Sequence, residues 1–168
     1  MKDARYWIEK LELLEHPEGG WYKEVYRSDE SIPENGLPAR FNAGRSISTS
    51  IYYLLEKENK SHFHRIKSDE LWHYYSGNSA IEILIIRKGK LERLLLGSNF
   101  EEGESFQLVV PKNCWFAAHL INKDGFALVG CTVSPGFHFE DFEMAEQKEL
   151  LQNFPEFIDT IKQFTTGS

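Results

Sequence analysis

The spacing of apolar residues changes twice along this chain, and each change marks a change of structure. Near the N-terminus Ala4, Trp7, Leu11 and Leu14 recur at helical intervals behind Asp3, a side chain suited to cap a helix, so residues 4–14 are predicted as one amphipathic helix. His16-Pro17-Glu18-Gly19-Gly20 ends it, because proline cannot continue a helix and the glycines permit a turn. Trp21–Arg27 then reads as a strand. Residues 28–44, with Pro33, Asn35-Gly36, Pro38 and Gly44, read as a loop. From Arg45 to Val133 the helical interval disappears and short strand-like runs follow one another. They cover Ser46–Leu55, His62–Arg65, Leu71–Ser76, Ile81–Ile86, Leu91–Leu96, Phe106–Val110, Trp115–Ile121 and Phe126–Val133. In the first run Ile47, Thr49, Ile51, Tyr53 and Leu55 share one face. After Ser134-Pro135-Gly136 the helical interval returns over Glu140–Leu151, and again from Pro155 through Phe157, Ile158 and Ile161. So many short strands in series predict a sandwich or a closed double sheet, about 21–133, followed by C-terminal helical segments, about 140–163, all in one domain over 1–168.

Composition narrows the function classes. The chain has 168 residues, 41% hydrophobic and 14% aromatic, enough to bury a substantial core. A net charge of −7, with no long run of Lys or Arg, argues against nucleic acid as a partner. No apolar run reaches membrane-spanning length, and the charged N-terminus lacks a secretory stretch, so the expectation is a cytoplasmic protein without a membrane partner. The two cysteines, Cys114 and Cys131, fall in apolar strand-like runs and read as buried thiols.

The candidate chemistry starts at His62-Phe63-His64. Strand side chains alternate, so both imidazoles are expected on one face, with Glu70 returning toward them across a corner. Two imidazoles and a carboxylate suit either a divalent metal held by His62, His64 and Glu70 or acid–base work on a small molecule. The register of strand 71–76 has two solutions. Either Glu70, Trp72 and Tyr74 face inward, or Asp69, His73 and Tyr75 do, unless a bulge intervenes. The reading leans to His73 and Tyr75, because Trp72 and Tyr74 would suit the outer sheet of a dimer. That gives His64, Glu70, His73 and Tyr75 as candidate catalytic residues, with Tyr53 as the alternative proton donor. Tyr53, Phe63, Arg65 and Trp115 are candidate ligand contacts, the rings as a flat surface and the arginine, like Arg27 and Arg45, for an anionic group. Glu18 and Glu24 reach either the pocket mouth or a dimer contact. His16 and His138 adjoin turns and are assigned no chemistry.

The same residues resemble the cupin superfamily. Its first motif reads as His-x-His, a glutamate, then a glycine seven positions later, matched here by His62, His64, Glu70 and Gly77. Two departures stand out: five residues separate His64 from Glu70, one more than usual, and Phe116 stands where the second motif places a third histidine. Wider patches are similar to one branch sometimes called cupin five. They include His16-Pro17-Glu18-Gly19-Gly20, Ile51-Tyr52-Tyr53-Leu54-Leu55, Trp72-His73, Trp115-Phe116-Ala117-Ala118 and Val133-Ser134-Pro135-Gly136-Phe137. The resemblance implies a double-stranded β-helix, or jelly-roll barrel, similar in fold to germins, seed storage proteins and deoxysugar epimerases, and usually a homodimer.

Together these readings predict a jelly-roll protein that binds a small molecule, a sugar or nucleotide-linked ligand. The leading expectation is an isomerase or epimerase that requires no cofactor. The alternatives are a divalent-metal enzyme, isomerase or dioxygenase, using His62, His64 and Glu70, and a binding or sensing module without turnover.

Overall fold

The computed structural model describes residues 2–167. Helix α1 (Ala4–Leu11) begins as predicted, with Asp3 Oδ1 accepting from the Tyr6 amide at 2.9 Å, but it ends a turn early. Glu12 adopts the left-handed conformation that closes the helix, and Leu14 enters the short strand β1 (Leu14–Glu15). The strands that follow are β2 (Trp21–Arg27), β3 (Ser31–Ile32), β4 (Arg45–Ser46), β5 (Thr49–Glu56) and β6 (Lys60–Arg65). Then come β7 (Asp69–Gly77), β8 (Ile81–Arg87), β9 (Lys90–Leu96), β10 (Gln107–Val110), β11 (Trp115–Leu120), β12 (Phe126–Ser134) and β13 (Glu143–Met144). Two short helices, α2 (Gln147–Asn153) and α3 (Ile158–Gln163), complete the described chain.

Two antiparallel sheets face each other. One has the order β1-β2-β5-β12-β7-β10, the other β13-β6-β11-β8-β9, and β3 pairs with β4 at the side. This is the mainly β sandwich that the strand series predicted, consistent with the jelly roll that the resemblance implied. Residues on the inner faces, including Leu55, Trp72, Ile83, Ile85, Phe116 and Val129, form the central core. Both sheets are also covered on part of their outer faces. Leu54 and Leu128 pack under α1, and Leu84, Ile86, Phe63 and Trp115 pack under Leu150, Ile161 and Phe164 of the C-terminal segment. Double coverage explains why β8 and β12 are almost continuously apolar instead of alternating. Each fully buried Leu, Ile or Phe contributes roughly 1.5–3 kcal/mol, so the C-terminal segment holds its sheet face through Ile161 and Phe164.

Three departures from the predicted elements matter for the site. The helix expected over 140–151 is a short 3-10 turn at Phe139–Asp141, then β13, with helix only from Gln147; Phe142 thereby turns inward rather than along a helical stripe. The run 46–55 is broken at Ile47–Ser48 into β4 and β5. The register of β7 is also the opposite of the one favoured. Glu70 and Trp72 are buried inward, whereas His73 pairs across from Gly130 on the outer face and Tyr75 is 52% exposed. The bulge at Tyr75, where Tyr74 pairs with Val129 and Ser76 with Leu128, lies beyond Tyr74, so plain alternation keeps Glu70, Trp72 and Tyr74 on the inner face. Among the described residues no helix is long and apolar enough to cross a membrane.

Candidate functional site

Two further bulges build the site, because each breaks the alternation that would otherwise send a side chain away. In β6, Phe116 of β11 pairs with His64 and Ala118 with Ser61, so residues 62 and 63 together oppose one residue. Ser61 and His64 consequently share the inner face. His62 is displaced from it, with its ring Nδ1 2.8 Å from the Glu18 carbonyl. In β2, Glu24 pairs with Ile51 and Tyr26 with Ser50, leaving Val25 as the extra residue. Tyr22, Glu24 and Arg27 therefore all face inward with Thr49, Ile51 and Tyr53 of β5.

The N-terminal turn closes over β6. Gly19 has φ +107°, and a Cβ there would drive into the Lys60 carbonyl, so only glycine lets the turn lie this close. Close approach lets the Glu18 carbonyl accept from the His62 amide at 2.9 Å and brings the Glu18 carboxylate to the inner face. There Oε1 accepts from Ser61 Oγ at 3.0 Å, and Oε2 lies 2.9 Å from His64 Nε2 and 3.6 Å from His16 Nδ1. The Tyr53 hydroxyl donates to the Gly19 carbonyl at 2.5 Å.

His16, Glu18, Tyr53 and His64 line a cavity of about 540 Å³ between the two sheets. Its far wall is the arm after β12. The Phe137 amide donates to Thr49 Oγ1 at 2.9 Å, Arg27 Nη2 donates to the Phe137 carbonyl at 3.0 Å, and Asp141 is clamped by Arg45 through two bonds of 2.7 Å. Phe137, Phe139 and Phe142 of this arm face the cavity. Phe142 stacks on His64 from one side with ring centroids 5.2 Å apart, and Phe116 lies 4.1 Å away on another.

Burial and neighbouring charges set the protonation states. Burial alone would neutralise Glu18, but the fields of His64 and His16 and its hydrogen bonds hold the carboxyl down at about 2. Burial opposes a charge on His64, yet the Glu18 carboxylate outweighs it and raises the imidazole above its ordinary range. The two thus form a buried ion pair, with His64 Nδ1 donating to the His62 carbonyl at 2.7 Å. Glu70 differs: burial, reinforced by the Glu18 charge, lifts it to about 7, against the opposing pull of His64 and the Cys131 thiol. His16 is pushed down, first by burial and then by the His64 charge, against the attraction of Glu18.

Of the residues singled out in the sequence, His64, Glu70 and Tyr53 meet in this cavity. The others do not. His73 and Tyr75 lie on the outer face of the sheet, turned there by the register of β7. Phe63 and Trp115 are buried under the C-terminal helices. Arg65 pairs with Glu143 at 2.7 Å and lies over the Trp115 ring. The expected metal set also fails to converge: His62 is off the inner face, His64 Nε2 is committed to Glu18, and Phe116 occupies the place of a third imidazole. Among the described residues no group of three or more His, Cys, Asp or Glu side chains is arranged to hold a metal ion. Sequence reasoning missed His16 and His138 as cavity residues and left Glu18 undecided. The signal for Glu18 was its place directly before two glycines at a strand entrance.

A family profile described as Cupin superfamily (DUF985) matches residues 5–145. The chain is 37% identical to protein SO0799 from Shewanella oneidensis, with a TM-score of 0.89 over 100% of each chain. It is 34% identical to a hypothetical protein from Leishmania major, with a TM-score of 0.88 over 98% of this chain and 99% of that one. Uncharacterized protein YML079W of Saccharomyces cerevisiae is 29% identical over 155 residues, covering 87% of this chain and 77% of the yeast protein. The jelly-roll sheets, the partly retained His-x-His motif and the profile match over most of its length agree: this chain belongs to the DUF985 family of the cupin superfamily.

Proposed function

We propose that this protein binds a small polar molecule, a sugar or a nucleotide-linked sugar, and catalyses metal-independent proton transfer on it, as an isomerase or epimerase does. The single observation that carries the reading is Glu70, a buried carboxyl facing the cavity whose affinity for a proton is tuned to about 7. Proton abstraction beside a carbonyl is best served by a base that titrates near the working pH. His64 is not that base in the resting site, because Glu18 and the His62 carbonyl hold its two ring protons. It serves instead as a fixed positive charge between two carboxyl groups.

The remaining lining suits such a guest. Tyr22, Phe137 and Phe139 offer apolar faces to a sugar ring, and Arg27, partly exposed at the rim beside Glu24, offers a guanidinium to a phosphate or carboxylate. The volume lies within the usual range for small-molecule sites. The test is incubation of the purified chain in D2O with a panel of nucleotide sugars and free aldoses and ketoses, read by proton NMR. Deuterium entering at a single carbon of one member is the expected result, and no exchange across the panel sinks the reading.

We also propose that the protein pairs with a second copy through the outer face of its larger sheet. Tyr26, Ser50, Thr132, Leu71 and Val109 form one cross-strand row there, with Tyr75 beside it lying over Gly130 and edge-on to Tyr52. Leu71, Tyr75 and Val109 are 37%, 52% and 49% exposed, an apolar patch of the kind that marks an interface. Sedimentation velocity is expected to show a dimer for the wild-type chain and a monomer for the Leu71→Glu, Tyr75→Glu variant. A wild-type monomer at micromolar concentration contradicts the pairing.

A further inference from the structure

His16 lies at the start of the turn that carries Glu18, and its ring is held on several sides. Its centroid is 4.5 Å from that of Tyr22, 6.0 Å from Tyr53 and 6.1 Å from Phe142, and its side chain is 7% exposed while still lining the cavity. The Glu18 amide donates to His16 Nδ1 at 3.2 Å. A nitrogen that accepts a hydrogen bond carries no proton, so in the neutral ring the proton sits on Nε2. One residue thereby sets the state of two imidazoles: the Glu18 backbone fixes the tautomer of His16, and its carboxylate charges His64. Among the described residues Nε2 of His16 has no hydrogen-bond partner, whereas the Tyr53 hydroxyl and both nitrogens of His64 are already engaged.

We infer that His16 is a catalytic residue that donates its Nε2–H to the carbonyl oxygen of the substrate, and that the substrate class is an α-hydroxy aldehyde or ketone. This rests on the proton-transfer reading of Glu70 given above. The Glu70 carboxylate takes the proton from the carbon bearing the hydroxyl group. The C–H electron pair becomes a carbon–carbon double bond, and the carbonyl π pair moves onto oxygen, where Nε2 gives up its proton. Nε2 then recovers a proton from the neighbouring hydroxyl oxygen while Glu70 returns its own to the former carbonyl carbon. The carbonyl has moved by one carbon, both side chains regain their starting states, and no oxidant or reductant is consumed. A neutral imidazole suits the step better than an imidazolium, because the donor must be able to regain its proton from an alcohol-like oxygen within the same turnover.

Three measurements on the full chain decide the matter. In ¹⁵N NMR of the imidazoles at neutral pH, His16 is expected as the neutral ring with Nδ1 bare; an Nδ1–H tautomer or an imidazolium overturns the inference. Glycolohydroxamate, a planar mimic of the enediolate, is expected to bind the wild-type chain at least about tenfold more tightly than glycolamide. That preference should fall below about threefold in His16→Leu and be partly kept in His16→Gln, which retains an N–H donor; a preference unchanged in His16→Leu overturns the inference. Because His16 packs on Tyr22, thermal melting of both variants establishes that they are folded. Finally, on whichever panel member exchanges deuterium, His16→Leu is expected to lower kcat about 100-fold or more with little change in KM. Wild-type exchange that survives this substitution overturns the role of His16 and leaves the reading of Glu70 standing. A wild-type chain that exchanges nothing removes both.

Discussion

Glu70→Gln is expected to lower the rate of solvent-proton exchange by about 10²–10⁴-fold, the contribution of a positioned general base. Glutamine keeps the size and hydrogen bonding of the side chain but cannot take up a proton, so the cavity should stay intact while the chemistry stops. The substitution removes a burden on the fold, since burial beside the ionised Glu18 is what raises Glu70 in the first place. The variant should therefore be folded and no less stable than wild type at neutral pH. The pH dependence follows from the same shift. A base must be unprotonated to act, so kcat/KM in the wild type is expected to rise with pH, reach half of its plateau near 7 and fall tenfold per unit below that. An ordinary, water-exposed glutamate would place that limb more than two pH units lower. A profile flat through neutrality, or a Glu70→Gln variant that exchanges as fast as wild type, rules Glu70 out as the base.

The architecture was far more legible in the sequence than the site, and the reason lies in the ladder. Regular alternation identified the inward face of β5, where Thr49, Tyr53 and Leu55 are buried as expected. It failed wherever a bulge intervened. A rule of strict period 2 puts His62 beside His64, but the extra residue in β6 replaces His62 with Ser61 on the inner face. The bulge in β2 similarly decides that Glu24 and Arg27 face inward together. In β7 alternation holds through Tyr74, and the favoured register failed because both faces of that strand carry aromatic residues and the pattern does not say which is inward. None of the bulges carries a glycine or proline at the bulged position to announce it. Glu18 was hidden for a different reason. It is 46 residues from His64, and the contact exists only because Gly19 allows the turn to settle on the Lys60 carbonyl. The departures from the cupin motif now have a joint physical meaning. Phe116 makes the surroundings of His64 apolar, and Glu18, from outside the motif, supplies the negative charge that a buried imidazolium requires.

Asp141→Ala is expected to cost about 3–5 kcal/mol of stability, more than any substitution of a cavity carboxylate. Arg45 and Asp141 are 3% and 6% exposed and joined by two hydrogen bonds of 2.7 Å. Removing the carboxylate strands a guanidinium that cannot shed its charge. Its bonds to the carbonyls of Ala43 and Gly44 remain but carry no opposing charge, and Glu140, 3.9 Å away and mostly exposed, is a poor replacement. Glu18→Gln differs, although it also breaks a buried pair, because His64 can release its proton and sit neutral; a smaller loss of about 1–3 kcal/mol is expected there. For Asp141→Ala the melting temperature should drop by about 6–20 °C. The consequence reaches the site, because Asp141 lies between Phe139 and Phe142 and anchors the arm that forms the cavity wall. Replacing both partners with apolar residues, Arg45→Met with Asp141→Leu, should recover most of the stability, since neither buried charge is then left alone. Guanidinium denaturation of the single and double variants provides the check. A single-variant loss below about 1 kcal/mol, the size of an exposed ion pair, would mean that the clamp is open to water and does not hold the arm in place.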